Sequence, residues 1–258
     1  MSERPCVVVS GASRGLGAAT ARILAEMGAA VVVTARSAVP LDALVTEIRE
    51  AGGQAFAIAG DISDPTTARR CVNAAMENFG RLDAAVNNAA IIEPIARLAD
   101  VSAEAWRRLF DVNVLGAVLL TQAALPHLRE RGGRVINVSS GAAVHAIRAW
   151  GAYCASKAAL NMFNETLAAE EPQITAIALR PGVVDTPMQE VIRKWGADAM
   201  PPEDYAHFVS LHHERQLLPP EKPARAIAKL ALYAPRAWSG EFVRWDDPRV
   251  EALRADAR

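Results

Sequence analysis

The stretch Ser10-Gly11-Ala12-Ser13-Arg14-Gly15-Leu16-Gly17 follows a short apolar run and leads directly into a helix-forming segment. Glycines at a strand-to-helix junction let the backbone approach a pyrophosphate, and the free N–H groups and positive dipole end of the helix stabilise its charge. The spacing is Gly-x-x-x-Gly-x-Gly, which differs from the Gly-x-Gly-x-x-Gly fingerprint. A purely structural turn explains such a pattern equally well. The choice between a phosphate-binding and a structural role therefore depends on the rest of the sequence.

Short β-branched runs alternate with longer helix-forming segments along the whole chain. Strands are predicted over residues 6–9, 30–34, 55–59, 82–86, 134–138, 174–179 and 241–245. Helices are predicted over residues 16–27, 41–51, 67–79, 106–128, 152–169 and 223–232. Strands that are apolar throughout are typical of a parallel sheet covered on both faces. The pattern predicts one α/β domain over residues 1–258, a Rossmann-type, doubly wound parallel sheet of about seven strands with helices on both faces.

Residues 188–220 interrupt this alternation, because they are rich in proline, histidine and aromatic side chains. Open α/β sheets bind their ligands outside the carboxyl ends of the strands. We therefore expect residues 188–220 to be a small insertion that covers the substrate at that edge of the sheet.

Composition and charge narrow the function classes. The chain has 258 residues, of which 51% are hydrophobic and 22% charged, and its formal net charge is −1. This balance gives no electrostatic case for a nucleic-acid or anionic membrane partner. The first residues lack the pattern of a signal peptide, and no later run approaches the length that spans a bilayer. Cys6, Cys71 and Cys154 are widely spaced, so neither a disulfide framework nor a metal site is expected, and a cytoplasmic location fits best.

Two arginines bear on the choice of cofactor. The second predicted strand leads into Arg36, about twenty residues after the glycine turn, where an NAD-binding unit places an acid on the ribose 2′-hydroxyl. No acid stands here, and Arg36 and Arg14 are fork-shaped cations that suit a 2′-phosphate. The alternative is that both are solvated surface arginines. We predict NADP(H) as the cofactor.

Polar residues also follow the third and fourth predicted strands. Asp61 and Ile62 end the third strand region, and Asn88 lies just after the fourth. At these positions the side chains can face an adenine ring or tie neighbouring strands together. The commoner use of Asp and Asn at such places is to form a turn.

A serine, a tyrosine and a lysine form the candidate catalytic group. Tyr153 and Lys157 open a predicted helix, where i, i+4 spacing puts the phenol and the ammonium on one face. A carbonyl that accepts hydride needs a proton, but the reference pKa of tyrosine, near 10, is too high for efficient transfer in both directions. We expect Lys157, together with the positive ring of an oxidised nicotinamide, to lower the pKa of Tyr153. Ser140, at the end of a predicted strand, would hold the carbonyl oxygen by a hydrogen bond.

Asn113 lies in a helical stretch where an amide side chain is intrinsically unfavourable. One interpretation is that it holds water on a proton path to Lys157. The alternative is a buried amide that satisfies backbone groups.

In their order and spacing these segments resemble the short-chain dehydrogenase/reductase superfamily over essentially the whole chain. The matching segments are residues 11–17, 61–62, 87–90, 113, 138–140, 153–157 and 180–186. The resemblance implies a catalytic tetrad of Asn113, Ser140, Tyr153 and Lys157, a small-molecule carbonyl substrate, and a homodimer or homotetramer. It also implies that Val184 and Thr186 contact the nicotinamide carboxamide. The expected cofactor-binding residues are thus Gly11, Ser13, Arg14, Gly15, Leu16, Gly17, Arg36, Asp61, Ile62, Asn88, Tyr153, Lys157, Val184 and Thr186.

A finer likeness is to the sepiapterin-reductase-like branch, which includes bacterial and fungal benzil reductases. It rests on residues 139–144, 150–154, 168–172, 181–189 and 239–245. Sepiapterin reductases carry an acidic pterin anchor shortly after a C-terminal Ser-Gly. This chain has Arg244 there, although Asp246 and Asp247 follow closely. The departure favours an apolar or aromatic ketone, or a vicinal diketone, over sepiapterin.

Trp150, Met188 and Trp195 are candidate walls of the pocket for such a substrate, although each is more often a packing residue. Other functions stay open: a pterin carbonyl reductase, a 3-oxoacyl-thioester reductase, an NAD-linked alcohol dehydrogenase, and a dinucleotide-binding sensor without turnover. The intact Ser-Tyr-Lys set argues against the sensor, and the two arginines argue against the NAD-linked enzyme.

Overall fold

The structure, a computed structural model, describes residues 4–254. In this range seven strands form one parallel sheet in the order β3-β2-β1-β4-β5-β6-β7. The strands are β1 (Cys6–Ser10), β2 (Ala30–Ala35), β3 (Gln54–Ala59), β4 (Ala84–Asn87), β5 (Arg134–Val138), β6 (Thr175–Arg180) and β7 (Phe242–Arg244). The strand order reverses between β1 and β4, which lie side by side. The predicted doubly wound, Rossmann-type sheet is confirmed.

Helices cover both faces of the sheet. They are α1 (Gly15–Glu26), α2 (Ala38–Glu50), α3 (Pro65–Phe79), α4 (Ala103–Phe110), α5 (Gly116–Arg131), α6 (Gly151–Glu170), α7 (Pro187–Ala199), α8 (Pro202–His213), α9 (Glu221–Tyr233) and α10 (Pro248–Ala252). Val7 and Val9 of β1 pack on the face covered by α1, α2 and α9. Cys6 and Val8 pack on the opposite face, under α3 and α5. Burying both faces requires apolar residues at consecutive positions, which explains why the strand runs are apolar throughout.

The helix predicted over residues 106–128 is longer and less regular than expected. A π-helical turn, Asp111–Leu115, joins α4 to α5, and the continuous helix Ala103–Arg131 has 29 residues. By length and composition alone it could cross a membrane. The expectation that no run approaches this length was therefore wrong, since residues 112–128 carry no charged side chain. In this fold α5 packs against α3 and β4, as a core helix does.

Residues 188–220, predicted to cover the substrate, contain most of α7 and all of α8. Helix α8 packs mainly on α7. Both helices contribute side chains to a cavity at the carboxyl edge of the sheet. After α8 the chain returns to Leu218, whose N–H donates to the carbonyl of Val183 at 2.9 Å. This contact fixes the segment that follows β6 and leads into α7.

Candidate active site

A cavity of about 880 Å³ runs along the carboxyl ends of the strands. It extends from the glycine turn, past the ends of β2 to β6, to the inner faces of α7 and α8. Every residue that the sequence nominated for cofactor binding lines it, as do Ser140, Tyr153 and Lys157. Asn113 is the one member of the expected catalytic tetrad that does not. The topology therefore brings the glycine turn and the Ser-Tyr-Lys group, which are far apart in sequence, into a single site.

The glycine turn is built so tightly that side chains are excluded. Gly11 has φ +67°, and a Cβ there would lie 2.7 Å from the Cα of Ala89. A Cβ on Gly17 would lie 2.3 Å from the carbonyl oxygen of Gly11. Asn88 braces the turn, because its Nδ2 donates to the carbonyls of Ser10 and Gly11 at 2.9 and 3.1 Å. Asn88 thus ties β4 to the turn, one of the two roles expected for it.

The start of α1 suits an anionic group. Helix α1 has no side-chain hydrogen bond at its N-cap, Arg14, and no acid in its first turn. By contrast, the N-cap of α3, Asp64, accepts a hydrogen bond from the N–H of Thr66 at 2.8 Å. The first N–H groups of α1 therefore have no capping side chain and face the cavity that the turn lines. This geometry fits a dinucleotide pyrophosphate, which the residues of the turn would hold.

Arg14 and Arg36 lie at the same end of the cavity. Both side chains are exposed, and within residues 4–254 neither makes a hydrogen bond or an ion pair. Two guanidinium groups without protein partners beside a pyrophosphate cradle are the arrangement expected for binding a further phosphate.

Asp61 has partners that the sequence did not reveal. Its carboxylate accepts a hydrogen bond from Arg108 of α4 at 2.6 Å, and from the N–H and hydroxyl of Ser63 at 3.0 and 2.7 Å. These bonds outweigh partial burial and hold the pKa of Asp61 below its usual range. Ile62 is buried beside it. Arg108 lines the cavity as well, and no sequence motif marked it.

Tyr153 is buried in the wall of the cavity, with 6% of its surface exposed. Burial raises the pKa of Tyr153 to about 12, against the opposing effect of a hydrogen bond from Ser140. Lys157 therefore does not lower the pKa of Tyr153 in the protein alone, and the lowering expected with an oxidised nicotinamide stays a prediction. Desolvation disfavours the phenolate here, and any lowering has to come from charge that a bound cofactor brings.

Lys157 lies one helical turn after Tyr153 in α6. Its Nζ donates to the carbonyl of Val138 at 2.8 Å and lies 5.7 Å from the centroid of the Tyr153 ring. Burial lowers the pKa of Lys157 to about 8. The ammonium is thus close to the phenol, as the i, i+4 spacing predicted. In the protein alone this proximity does not offset the desolvation that raises the pKa of Tyr153.

Asn113 lies in the π-helical turn and is buried. Its Oδ1 accepts from the N–H of Ile91 and its Nδ2 donates to the carbonyl of Ile91, both at 2.8 Å. Nδ2 also lies 3.1 Å from the hydroxyl of Ser156, the neighbour of Lys157. These contacts are those of the alternative considered above, a buried amide that satisfies backbone groups. The proton path through Asn113 stays a prediction.

Comparison with known proteins identifies the family. The family model described as short chain dehydrogenase matches residues 5–197. The chain belongs to this family. The crystal structure of a short chain dehydrogenase/reductase from Saccharomyces cerevisiae is 38% identical, with a TM-score of 0.92 over 96% of this chain and 99% of that one. Benzil reductase ((S)-benzoin forming) of the same yeast is 35% identical over 257 residues, covering 95% of this chain and 97% of the relative.

A further solved structure is that of an actinorhodin polyketide ketoreductase variant with NADPH. It is 27% identical, with a TM-score of 0.84, and the match covers 94% of this chain and 95% of that one. This short-chain dehydrogenase is therefore an oxidoreductase acting between CH–OH and C=O, and its fold is one that binds a nicotinamide dinucleotide.

The substrate end of this short-chain dehydrogenase has an aromatic wall. Trp150 packs on Phe208 of α8 with ring centroids 4.9 Å apart, and it meets Tyr153 edge-on at 5.9 Å. Met188 and Ile192 of α7 line the same space. Trp195 does not, which corrects the prediction. It lies in a separate surface groove with 46% of its surface exposed, and the Nζ of Lys194 lies over its ring at 4.7 Å.

Arg148 forms ion pairs that link α8 to the loop that follows Ser140. Its guanidinium donates to Asp204 at 2.8 and 3.0 Å and to Glu203 at 2.6 Å. Asp204 and Phe208 line the cavity, so these ion pairs of Arg148 fix one wall of the substrate site. Sequence reasoning gave no signal for this pair, because the partners are separated by more than fifty residues.

We expect Arg148→Gln to raise the KM for substrate roughly two- to tenfold, the effect of an exposed but bidentate pair, and to leave the affinity for cofactor unchanged. Steady-state kinetics with each ligand varied in turn will show this. High salt should raise the KM of the wild type toward that of the variant, because it screens exposed ion pairs. If salt changed the KM of the wild type and of the variant equally, the ion pairs of Arg148 would have no role in substrate binding.

We expect Gly17→Ala to weaken binding of the dinucleotide by roughly tenfold or more, because the added Cβ forces Gly11 and Asn88 apart. Titration of protein fluorescence with cofactor measures this. Gly28→Ala is the control: it lies in open space after α1 but has φ +88°, so it should lower the melting temperature without changing cofactor affinity. A Gly17→Ala protein that binds cofactor normally would show that the turn is merely structural.

Within residues 4–254, no group of three or more His, Cys, Asp or Glu side chains is arranged to hold a metal ion. Cys6, Cys71 and Cys154 are free thiols.

Proposed function

We propose that this protein is an NADPH-dependent reductase that converts an apolar or aromatic ketone, or a vicinal diketone, to the alcohol. The observation that carries the proposal is one continuous cavity. At its glycine turn lie two arginines whose side chains make no hydrogen bond or ion pair within the described residues 4–254, and Ser140, Tyr153 and Lys157 lie where it meets the aromatic wall.

The preference for NADPH is supported by Arg14 and Arg36. A 2′-phosphate bound between two guanidinium groups forms charge-assisted hydrogen bonds, about twice as strong as neutral ones. The ribose of NADH offers only a hydroxyl at that place, and no carboxylate directly follows β2, where Arg36 and Ser37 stand instead. The solved ketoreductase relative was crystallised with NADPH, which agrees with this choice of cofactor.

The chemistry proposed for the chain's own residues is a proton transfer. When bound, a reduced nicotinamide dinucleotide would supply the hydride. Ser140 and Tyr153, which both line the cavity, would both contact the substrate oxygen. Tyr153, fully protonated near neutral pH, would donate its proton as negative charge develops there. Lys157, held by Val138 beside the phenol, would stabilise the phenolate that is left and return a proton to it.

The pterin alternative loses support at the C-terminal strand. Asp246, which follows Arg244 closely, is held by the guanidinium of Arg244 at 2.7 and 2.8 Å. Asp247 accepts from the backbone N–H and the guanidinium of Arg249. Neither acid lines the cavity. Both carboxylates therefore have partners elsewhere and are poorly placed to anchor a pterin ring.

A direct test follows the loss of NADPH absorbance with benzil, 1-phenyl-1,2-propanedione, propiophenone, sepiapterin and an acetoacetyl thioester. The proposal predicts that the aryl ketones and diketones are reduced and that NADPH is preferred over NADH. Turnover of sepiapterin or the thioester alone would contradict the proposed substrate class. No turnover of any carbonyl by protein that binds NADPH would favour the sensor. A homodimer or homotetramer and a cytoplasmic location stay predictions.

A further inference from the structure

The cavity contains a cation that the proposed chemistry does not use. Arg180 ends β6 and lines the cavity on the side of Ser140 and Tyr153. Its side chain is half-buried, and it makes no hydrogen bond or ion pair within the part of the chain that the structure describes. The backbone of Arg180 is fixed, because its carbonyl accepts from the N–H of Trp245 at 3.0 Å.

The guanidinium of Arg180 lies flat against Gly141, the residue after Ser140. A Cβ built on Gly141 would be 2.8 Å from Nη2, 2.9 Å from Cζ and 2.9 Å from Nε of Arg180. Nearly equal distances to three atoms of a planar group mean that Gly141 lies over the flat face of the guanidinium rather than at its edge. A side chain at position 141 would displace the guanidinium, so glycine there is matched to Arg180.

Within residues 4–254 no acid forms an ion pair with this charge, although Asp246 interacts with Arg180 electrostatically at longer range. The carboxylate of Asp246 is held by Arg244 through both of its oxygens. Asp204 of the cavity wall is held by Arg148, and Asp61, at the other end of the cavity, by Arg108. The remaining cations of the cavity have assigned partners or roles: Lys157 donates to Val138, and Arg14 and Arg36 lie at the cofactor end.

We propose that Arg180 binds an oxygen of the substrate next to the reacting carbonyl, and so makes the enzyme select ketones that carry an adjacent oxygen acceptor. The acceptor is the second carbonyl of a vicinal diketone or the carboxylate of a 2-keto acid; both offer lone pairs to the same planar donor group. The proposal rests on the proposed function and narrows its substrate class. A half-buried guanidinium without a partner is costly, and a substrate oxygen would complete its hydrogen bonding.

The test compares three aryl ketones that differ in one group: propiophenone, 1-phenyl-1,2-propanedione and phenylglyoxylate. The wild type should favour one or both of the last two over propiophenone in kcat/KM. Arg180→Gln should lower kcat/KM for the favoured substrate on the order of ten- to a hundredfold, the value of a hydrogen bond to a charged group, and change propiophenone less than threefold. The larger loss identifies the diketone or the keto acid as the natural class.

Two further variants separate this role from a structural one. Gly141→Ala displaces the guanidinium without removing it, so it should reproduce the selective loss if Arg180→Gln folds poorly. Arg22→Gln, in an ion pair with Glu47 on the outer surface, should leave all three rates unchanged. Equal losses for the three ketones in both site variants would overturn the role of Arg180 and leave the proposed function standing. A wild type inactive on all three with NADPH would overturn both.

Discussion

Tyr153→Phe is expected to lower kcat on the order of a thousandfold or more while leaving the dissociation constant for NADPH within about twofold of the wild type. General acid–base catalysis by a positioned side chain contributes about 10²- to 10⁴-fold. The substitution removes the proton donor and keeps the ring, which still packs edge-on against Trp150. Single-turnover measurements of NADPH oxidation, with cofactor binding followed by fluorescence, separate the two effects.

Two further variants serve as a control and a comparison for Tyr153→Phe. Tyr233→Phe removes the same atom from a tyrosine of α9 that does not line the cavity, so its activity should match the wild type. Lys157→Ala should impair both turnover and cofactor binding, because Lys157 lines the same cavity as the glycine turn and Tyr153. Substantial turnover by Tyr153→Phe would assign the proton to another donor, and a large loss in Tyr233→Phe would point to a general effect on folding.

The double variant Arg14→Ala, Arg36→Ala is expected to lower kcat/KM for NADPH about a hundredfold or more. Each arginine loses charge-assisted hydrogen bonds to the 2′-phosphate, and such bonds contribute roughly 1.5–3 kcal/mol apiece. The kcat/KM for NADH should change less than threefold, because NADH has no phosphate at that position. Initial rates with both cofactors at saturating ketone give the two ratios.

Arg69→Ala, a variant of an exposed arginine of α3 outside the cavity, is the control for general charge effects. It should change neither ratio. Equal losses with NADPH and NADH in the double variant would mean that the arginines hold the shared pyrophosphate rather than the 2′-phosphate. A wild type that uses the two cofactors equally well would refute the predicted preference at the outset.

Much of the fold was predictable because it depends on local patterns. Consecutive apolar residues in β1 and β2 reflect burial on both faces, and the glycine turn reflects close backbone approach that permits no Cβ at Gly11 or Gly17. The spacing of Tyr153 and Lys157 reflects one helix face. Each of these signals lies within a few residues of sequence, so a single chain reveals it.

The rest depends on contacts between distant segments. Arg108 meets Asp61 and Arg148 meets Asp204 only because the sheet order brings their elements together. The orientation of Arg180 over Gly141 likewise follows from packing. In the protein alone the pKa of Tyr153 is raised rather than lowered, because spacing reveals the neighbouring ammonium of Lys157 but not the extent of burial that outweighs it.

The most direct test of the account is a crystal structure of the protein with NADP⁺ and a slowly reacting aryl ketone. We expect the Tyr153 phenol oxygen and the Ser140 hydroxyl to lie within about 2.6–3.2 Å of the ketone oxygen, and the carbonyl carbon to lie about 3–3.5 Å from the reactive carbon of the nicotinamide. A complex in which Tyr153 points away from the ketone, or the nicotinamide lies outside the space between Ser140 and Thr186, would contradict it.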